Sequence, residues 1–388
     1  MLKGIANAFR VPELRKKLLL TAGILLLYRF GAYLPVPGVP FQDMLSAYQT
    51  GLSSNGAMAV LNLFSGGALS RMSVFSLGIM PYITAQIILQ LMQAVIPSLG
   101  ELAKEGESGQ RKITQYTRYL TIGLALISSI GYLFLFKSYG VSFANMGIAE
   151  GLQNFIVVFT MLVGAIIIMW LGEVITQRGI GNGMSLIIFA NIMSGLPTSL
   201  ISSVASNGNV VLTVITMLVI VAIIPIIVYV ERGQRRIPIQ YAKRVVGRRV
   251  MGGQATYLPI KVNTAGVVPI IFASAILYLP AQLAVFFPNV GWVQAVANAL
   301  SAGWINWVLS VLLIVAFAYF YSSMVFNPEE TADQLRKQGG FIPGVRPGAA
   351  TAAYIKNTID HVTLPGALFM AVLAVVPSII FWLSLIHI

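Results

Sequence analysis

The sequence predicts an all-α integral membrane protein, a polytopic bundle of nine transmembrane helices. Three observations carry this. Of the 388 residues 57% are hydrophobic and only 10% charged, with a mean hydropathy of +0.82. A water-facing surface carries about a quarter charged residues, so most of this surface must face lipid. Nine apolar runs approach the ~20 residues that cross a hydrocarbon core: residues 18–34, 74–96, 119–136, 155–171, 184–200, 210–230, 265–287, 304–326 and 362–385. They are continuous rather than alternating, which excludes a membrane β-barrel.

The basic residues alternate with those runs. The N-terminus holds Lys3, Arg10, Arg15, Lys16 and Lys17. The second loop holds Lys104, Arg111, Lys112 and Arg118, and the fourth Arg178. The sixth holds Arg232, Arg235, Arg236, Lys243, Arg244, Arg248, Arg249 and Lys261, and the eighth Arg336, Lys337, Arg346 and Lys356. Only Arg71 and Lys137 fall in odd loops, and Arg29 lies inside the first run. Positive-inside bias therefore places the N-terminus and the even loops in the cytosol. One missed or invented helix would scramble this alternation. No removable signal peptide is expected, because the first apolar run is a full span without a small-residue cleavage site.

Residues 1–17 read as a cytosolic amphipathic segment, with Leu2, Ile5 and Phe9 at helical spacing beside Lys3 and Arg10; a frayed basic tail is the alternative. Residues 61–71 are apolar at one end, broken at Gly66-Gly67 and too short to cross. They fit either a re-entrant half-helix in a cavity or an ordinary external loop. Two cytosolic loops, 231–263 and 327–361, are long and patterned. The first alternates apolar and polar residues around Gly247, predicting a small hairpin. In the second, Asn327 can cap a helix with Pro328 at its first position and Glu329 and Glu330 in its first turn, ending at Gly339-Gly340. A Pro/Gly-rich tip then presents Arg346. Ordered basic loops fit docking surfaces for acidic or phosphate-rich partners; positive-inside bias alone would account for most of their charge, though not for their length or patterning.

The chain has no cysteine and only two histidines, His361 and His387, outside any metal-binding spacing. No paired carboxylates, Ser–His arrangement or nucleotide-binding loop is present, so no enzyme chemistry, metal or cofactor is expected. A secondary transporter for a small solute would share the broken helices, marked here by Pro81, Pro225, Pro269, Pro280 and Pro377. Coupled transporters place ionisable groups at mid-membrane, whereas here Glu173 and Glu231 stand only at span ends.

Several segments carry a family resemblance. LFSGGALSR (63–71), FSLGIMPYIT (75–84), KEGESGQRKITQYTRY (104–119), GIGNGMSLIIF (179–189), RRIPIQYAKRVVGRRV (235–250) and GGFIPGVRPG (339–348) resemble, in order, segments of the SecY family of protein-conducting channels. The resemblance implies two halves, residues 18–200 and 201–388, related as inverted pseudo-symmetric repeats around a central pore that opens sideways to lipid. The family has a tenth helix, which supplies one further member of the pore constriction, and a basic tail, whereas this sequence stops at Ile388 just after the ninth run.

The resemblance also implies roles. Ile79 and Ile83, Met184 and Ile188, and Ile271 would form the pore ring. Each pair is spaced i, i+4 on one helix face, and an apolar ring is poorly wetted and closes without charge. Leu61, Asn62, Leu63, Phe64, Ser65, Gly66, Gly67, Ala68, Leu69, Ser70 and Arg71 would plug the ring from outside. Thr84 and Asn263 would hold a lateral gate shut, at about 0.6–2 kcal/mol for a polar pair. Arg236, Lys243, Arg244, Arg248, Arg249 and Arg346 would dock the SecA motor and the ribosome. The implied function is translocation of unfolded preproteins across the bacterial plasma membrane and lateral insertion of membrane proteins, with SecE and SecG as subunits and signal peptides, preproteins and the lipid bilayer as further partners.

Overall fold

The computed structural model describes residues 11–40, 44–45, 62, 64–138, 141, 149–207, 210–241, 244–246, 249–251, 256–286, 290–301 and 303–386. Residues 1–10 of the expected amphipathic segment, and Leu61 and Leu63, lie outside them. The chain forms two compact units, Met1–Asn209 with Gln282–Gln294, and Val210–Ala281 with Ala295–Ile388.

The first unit is helical. Helix α1 (Pro12–Gly31) starts on a proline, whose missing N–H costs nothing in a first turn, with Glu13 beside it on the positive end of the helix dipole. It therefore begins six residues before its apolar run. Its inner face is Thr21, Tyr28 and Gly31, while Leu26 and Phe30 stay exposed on the side that lipid would cover. Helix α2 (Met80–Val95) and helix α3 (Pro97–Lys104) meet at a 103° bend. Pro97 makes the break, since it cannot donate to the preceding turn and drives Ile96 to an extended backbone.

Helix α4 (Glu107–Ser138) packs on α2 and on α5 (Glu150–Arg178), which also receives α1 and α6 (Gly183–Asn207). The buried face of α5 runs Val157, Met161, Gly164, Ile168, Leu171 and Ile175, the three-four spacing of a helix stripe. Arg118 of α4 grips Glu173 of α5 with two hydrogen bonds, Nε to Oε1 at 2.9 Å and NH2 to Oε2 at 2.6 Å. One of the few acids near a span is thereby paired.

The second unit holds helix α7 (Val210–Glu231), the strands β1 (Gln234–Tyr241), β2 (Arg244–Val246), β3 (Arg249–Met251) and β4 (Thr256–Lys261), then helix α8 (Val268–Phe286). After α9 (Gly291–Ser301) come α10 (Trp304–Val325), α11 (Pro328–Lys337), β5 (Gly340–Phe341) and α12 (Ala349–Ile386). A helix thus runs through each of the nine apolar runs. Among the described residues four helices are long and apolar enough to cross a membrane unaided, or five with the bent pair counted as one. The membrane helix bundle stands, and two of the runs outside the four have a local cause. Residues 74–79 of the second run form turns, leaving α2 only 16 residues. Helix α1 carries Arg15, Lys16, Lys17 and Arg29 along its length.

The two long loops, 231–263 and 327–361, are folded in their described residues. β2 and β3 pair around Gly247, the expected hairpin, and β1 pairs with β4 from Gln234↔Lys261 to Ile239↔Thr256. Asn327 caps α11, its side-chain oxygen accepting from the N–H groups of Glu329 (3.1 Å) and Glu330 (3.4 Å). Asn327→Ala is expected to cost about 1 kcal/mol of local stability. Hydrogen exchange should register this as roughly fivefold faster amide exchange along α11; an unchanged rate would mean that packing alone holds the helix.

Two features were not legible beforehand. β5 adds to the outer edge of β1, giving a sheet ordered β4-β1-β5 that fuses the two loops. Beneath it Ile237, Ile239, Ile260, Leu335, Ile342, Ile355 and Ile359 form one apolar cluster. Helix α12 also starts thirteen residues before its apolar run, placing Ile355 and Ile359 under the sheet.

Candidate functional site

Residues 64–79, which lead into α2, are closely held in the first unit. An external surface loop is overturned: Ser65, Ala68, Leu69 and Met72 are at most 2% exposed. A half-helix over the whole of 61–71 is corrected too, because residues 65–79 are turns apart from the bridge at Ser73, and among the described residues of 61–71 only Asn62 and Phe64 have helical backbone. Gly66 and Gly67 adopt φ of +67° and +82°, which favour glycine and break the helix. Internal bonds hold the turns. The Asn62 side-chain oxygen accepts from the Ser70 N–H at 3.0 Å, and the Ser65 hydroxyl donates to the Asn62 carbonyl at 3.1 Å and accepts from the Leu69 N–H at 3.2 Å.

The surrounding helices grip this segment from several sides. The Val36 N–H donates to the Met72 carbonyl (3.0 Å) and the Val74 N–H to the Leu34 carbonyl (2.9 Å), bracketing a Pro35–Ser73 bridge. Phe75 stacks on Tyr28 at 5.4 Å between centroids. Arg29, the lone cation of the first run, donates from NH1 to the Gly66 carbonyl at 2.7 Å and from NH2 to the Tyr33 hydroxyl at 3.1 Å. Arg71 covers the same Tyr33 ring at 4.2 Å. Asn191 of α6, fully buried, donates to the Phe64 carbonyl at 2.6 Å and the Tyr28 hydroxyl at 2.8 Å. Sequence reasoning missed Asn191; its signal was an amide inside an apolar run, where polar groups are costly.

The residues expected to form the ring that lie in the first unit all sit at helix starts. Ile79 caps α2, its carbonyl accepting from the Ile83 N–H at 3.1 Å, and both side chains are buried. Met184 and Ile188 occupy the first turns of α6, where the Asn182 side chain accepts from the N–H groups of Met184 and Ser185. The Met184 sulfur rests on Gly172 of α5, at a spot where an added Cβ would meet it at 2.3 Å. Ile271 stands half-buried in the first turn of α8, in the second unit. Thr84 is half-buried on α2. Asn263 precedes α8 and donates to Glu231 at the end of α7 (2.5 Å) and to the Gly266 carbonyl (3.3 Å), closing the base of the β1–β4 loop.

On the fused loops, Arg236 of β1 is exposed, its guanidinium 4.7 Å above the Tyr257 ring of β4. Arg346 is exposed at the tip after β5, its carbonyl accepting from Thr351 of α12 at 2.9 Å. Arg244 and Arg249 lie on the facing strands β2 and β3, while Lys243 and Arg248 fall outside the described residues. The carriers of Arg236 and Arg346 are therefore one body, anchored to the spans. Gly366 of α12 approaches so closely that a Cβ would lie 2.3 Å from the Val262 carbonyl oxygen. Among the described residues no group of three or more His, Asp or Glu side chains could hold a metal ion.

A helical membrane bundle with a buried, turn-rich segment between two of its spans, and a folded basic platform on the loops of its other unit, is an arrangement that a membrane channel can use. The chain belongs to the SecY family, whose model matches residues 73–387. The protein translocase subunit SecY of Streptomyces coelicolor is 45% identical over 97% of this chain and 89% of its own length. Among solved structures, one describing how the plug domain of SecY stabilises the closed channel and maintains a membrane seal aligns over 94% of this chain and 86% of its own, with a TM-score of 0.63 at 18% identity. Sec61 in the canine ribosome-channel complex aligns over 94% and 85%, with a TM-score of 0.56 at 17% identity.

Proposed function

We propose that this chain is the channel-forming subunit of a bacterial protein translocase, passing unfolded preproteins across the plasma membrane and releasing apolar segments sideways into lipid. The observation that carries this reading is the buried turn segment at residues 62–79, seated between α1, α5 and α6, in a chain 45% identical to a translocase subunit over nearly its whole length. In this reading Asn62–Arg71 is the plug, and Ile79, Ile83, Met184, Ile188 and Ile271 form an apolar ring that water wets poorly and that yields around any peptide. Thr84 and Asn263 serve the seam through which a segment of about 20 apolar residues partitions into the bilayer. SecE and SecG complete the complex, and the basic platform receives SecA or the ribosome; a solved relative is a ribosome-channel complex. The N-terminus lies in the cytosol, as the distribution of Lys and Arg supports.

The ring supplies the test. Ile83→Asn and Ile188→Asn each place an amide where the passage must stay dry. Vesicles carrying the assembled channel should then leak ions several-fold faster without preprotein, and should accept preproteins with defective signal sequences. Parental leak and parental selectivity in both variants would remove the ring from this assignment.

A further inference from the structure

We infer that Arg29 and Asn191 form a two-point latch on the backbone of the plug, and that breaking this latch is the step that sets how readily the channel opens. The inference rests on the plug reading above and adds the residues that hold it.

The geometry is specific. Two donors reach in from two different helices, α1 and α6, and take carbonyls two residues apart, Gly66 at 2.7 Å and Phe64 at 2.6 Å. Neither bond touches a plug side chain, so the latch reads the turn conformation rather than the plug sequence. The Arg29 bond carries a full charge, which makes it among the stronger kinds. Asn191 is fully buried and its second hydrogen goes to Tyr28, beside Arg29 on α1. One amide thus ties α1, α6 and the plug together. Gly66 has no room to spare: with φ at +67°, an added Cβ would lie 2.7 Å from Asn191 Oδ1 and 2.9 Å from Arg29 NH1. The glycine is what lets both donors close on the carbonyls at once.

When the plug leaves, each donor loses its plug carbonyl while Arg29 keeps Tyr33 and Asn191 keeps Tyr28, and an N–H left without its acceptor at a low-dielectric site is costly. That cost favours return of the plug once a chain has passed. Arg29 and Asn191 are accordingly positioning residues: they hold the plug and set a threshold, without lining the ring.

The chain contains no cysteine, so one introduced thiol reports cleanly. Ala68 is fully buried in the plug. Ala68→Cys in the assembled channel in vesicles should react slowly with a membrane-impermeant maleimide added outside. Adding Arg29→Leu or Asn191→Ala should speed labelling by about tenfold each, the order expected for one lost hydrogen bond to a charged or buried group. Gly66→Ala should do the same by pushing both donors off. Arg29→Lys should return labelling most of the way to the parental rate, a rescue that general loosening of the fold would not give. Where Asn191→Ala fails to assemble, Asn191→Ser keeps a donor and should label at an intermediate rate. Parental labelling rates in the Arg29→Leu and Gly66→Ala backgrounds would overturn the latch. A channel lacking residues 62–70 separates the two readings: if it leaks ions while the latch variants label at the parental rate, the plug stands and the latch falls. If it does not leak, the plug reading falls, and the labelling rates still decide whether Arg29 and Asn191 hold the segment.

Discussion

Gly164→Leu is expected to prevent the first unit from assembling in its native form. At Gly164 the backbone of α5 runs against the carbonyl of Val74, and a Cβ there would lie 1.9 Å from the carbonyl oxygen and 2.8 Å from its carbon. Backbone on both sides leaves no flexible side-chain end to move away. The helix must retreat or the turn segment must leave its seat, and either breaks the stripe from Val157 to Ile175 on which α1, α4 and α6 pack. Ordinary overpacking costs about 1–3 kcal/mol, and a backbone clash of this depth lies above that range. Purified in detergent, the variant should aggregate or melt about 10 °C or more below the parent. Gly164→Ala should show a smaller loss in the same direction. A monodisperse Gly164→Leu protein with parental Tm would mean that the turn segment does not rest on α5.

Arg236→Glu combined with Arg346→Glu should reduce preprotein translocation at least about tenfold while leaving the chain folded and inserted. Both side chains are exposed, both ride on the β4-β1-β5 body, and neither makes an ion pair among the described residues. Reversal therefore costs the fold little but juxtaposes like charges across any interface with an acidic or phosphate-bearing partner, where each such contact costs several kcal/mol. Because one rigid platform carries both arginines, a partner that meets one meets the other, and the double variant should exceed either single one. Arg236 also packs on Tyr257, so Arg236→Lys serves as the control that keeps charge while weakening stacking. Protease-protected preprotein in energised vesicles measures the effect. Undiminished export in the double variant would assign docking elsewhere.

Much of the architecture was readable from local chemistry. Hydropathy needs only consecutive residues, and a helix duly runs through each apolar stretch. The Asn327 cap with Pro328, and the Gly247 hairpin, are local codes of a few residues, and both appear where the pattern put them. The break at Pro97 is equally local, yet the bend it makes went unread because the apolar run was taken to end there. The segment at 61–71 shows where local reading stops. Its glycines announced a broken helix, but surface loop and buried segment have the same composition, and only the neighbours decide between them. Its burial depends on Arg29, Gly164 and Asn191, which lie far from it along the chain.

Side-chain roles divide in the same way. Ile79 and Ile83 are related by one turn of backbone, so their common face follows from spacing alone. Asn263 instead gives its amide to Glu231, thirty-two residues earlier, a partnership that closes the hairpin base and that no periodicity announces. The sequence by itself determined the membrane class and the positions of the helices, because lipid solvation acts on stretches of chain. The tertiary structure alone decided that the two basic loops are one platform and that a glycine-broken segment is a buried, latched element. Both depend on contacts between residues distant in sequence, whose pairing is set by packing rather than by any local preference.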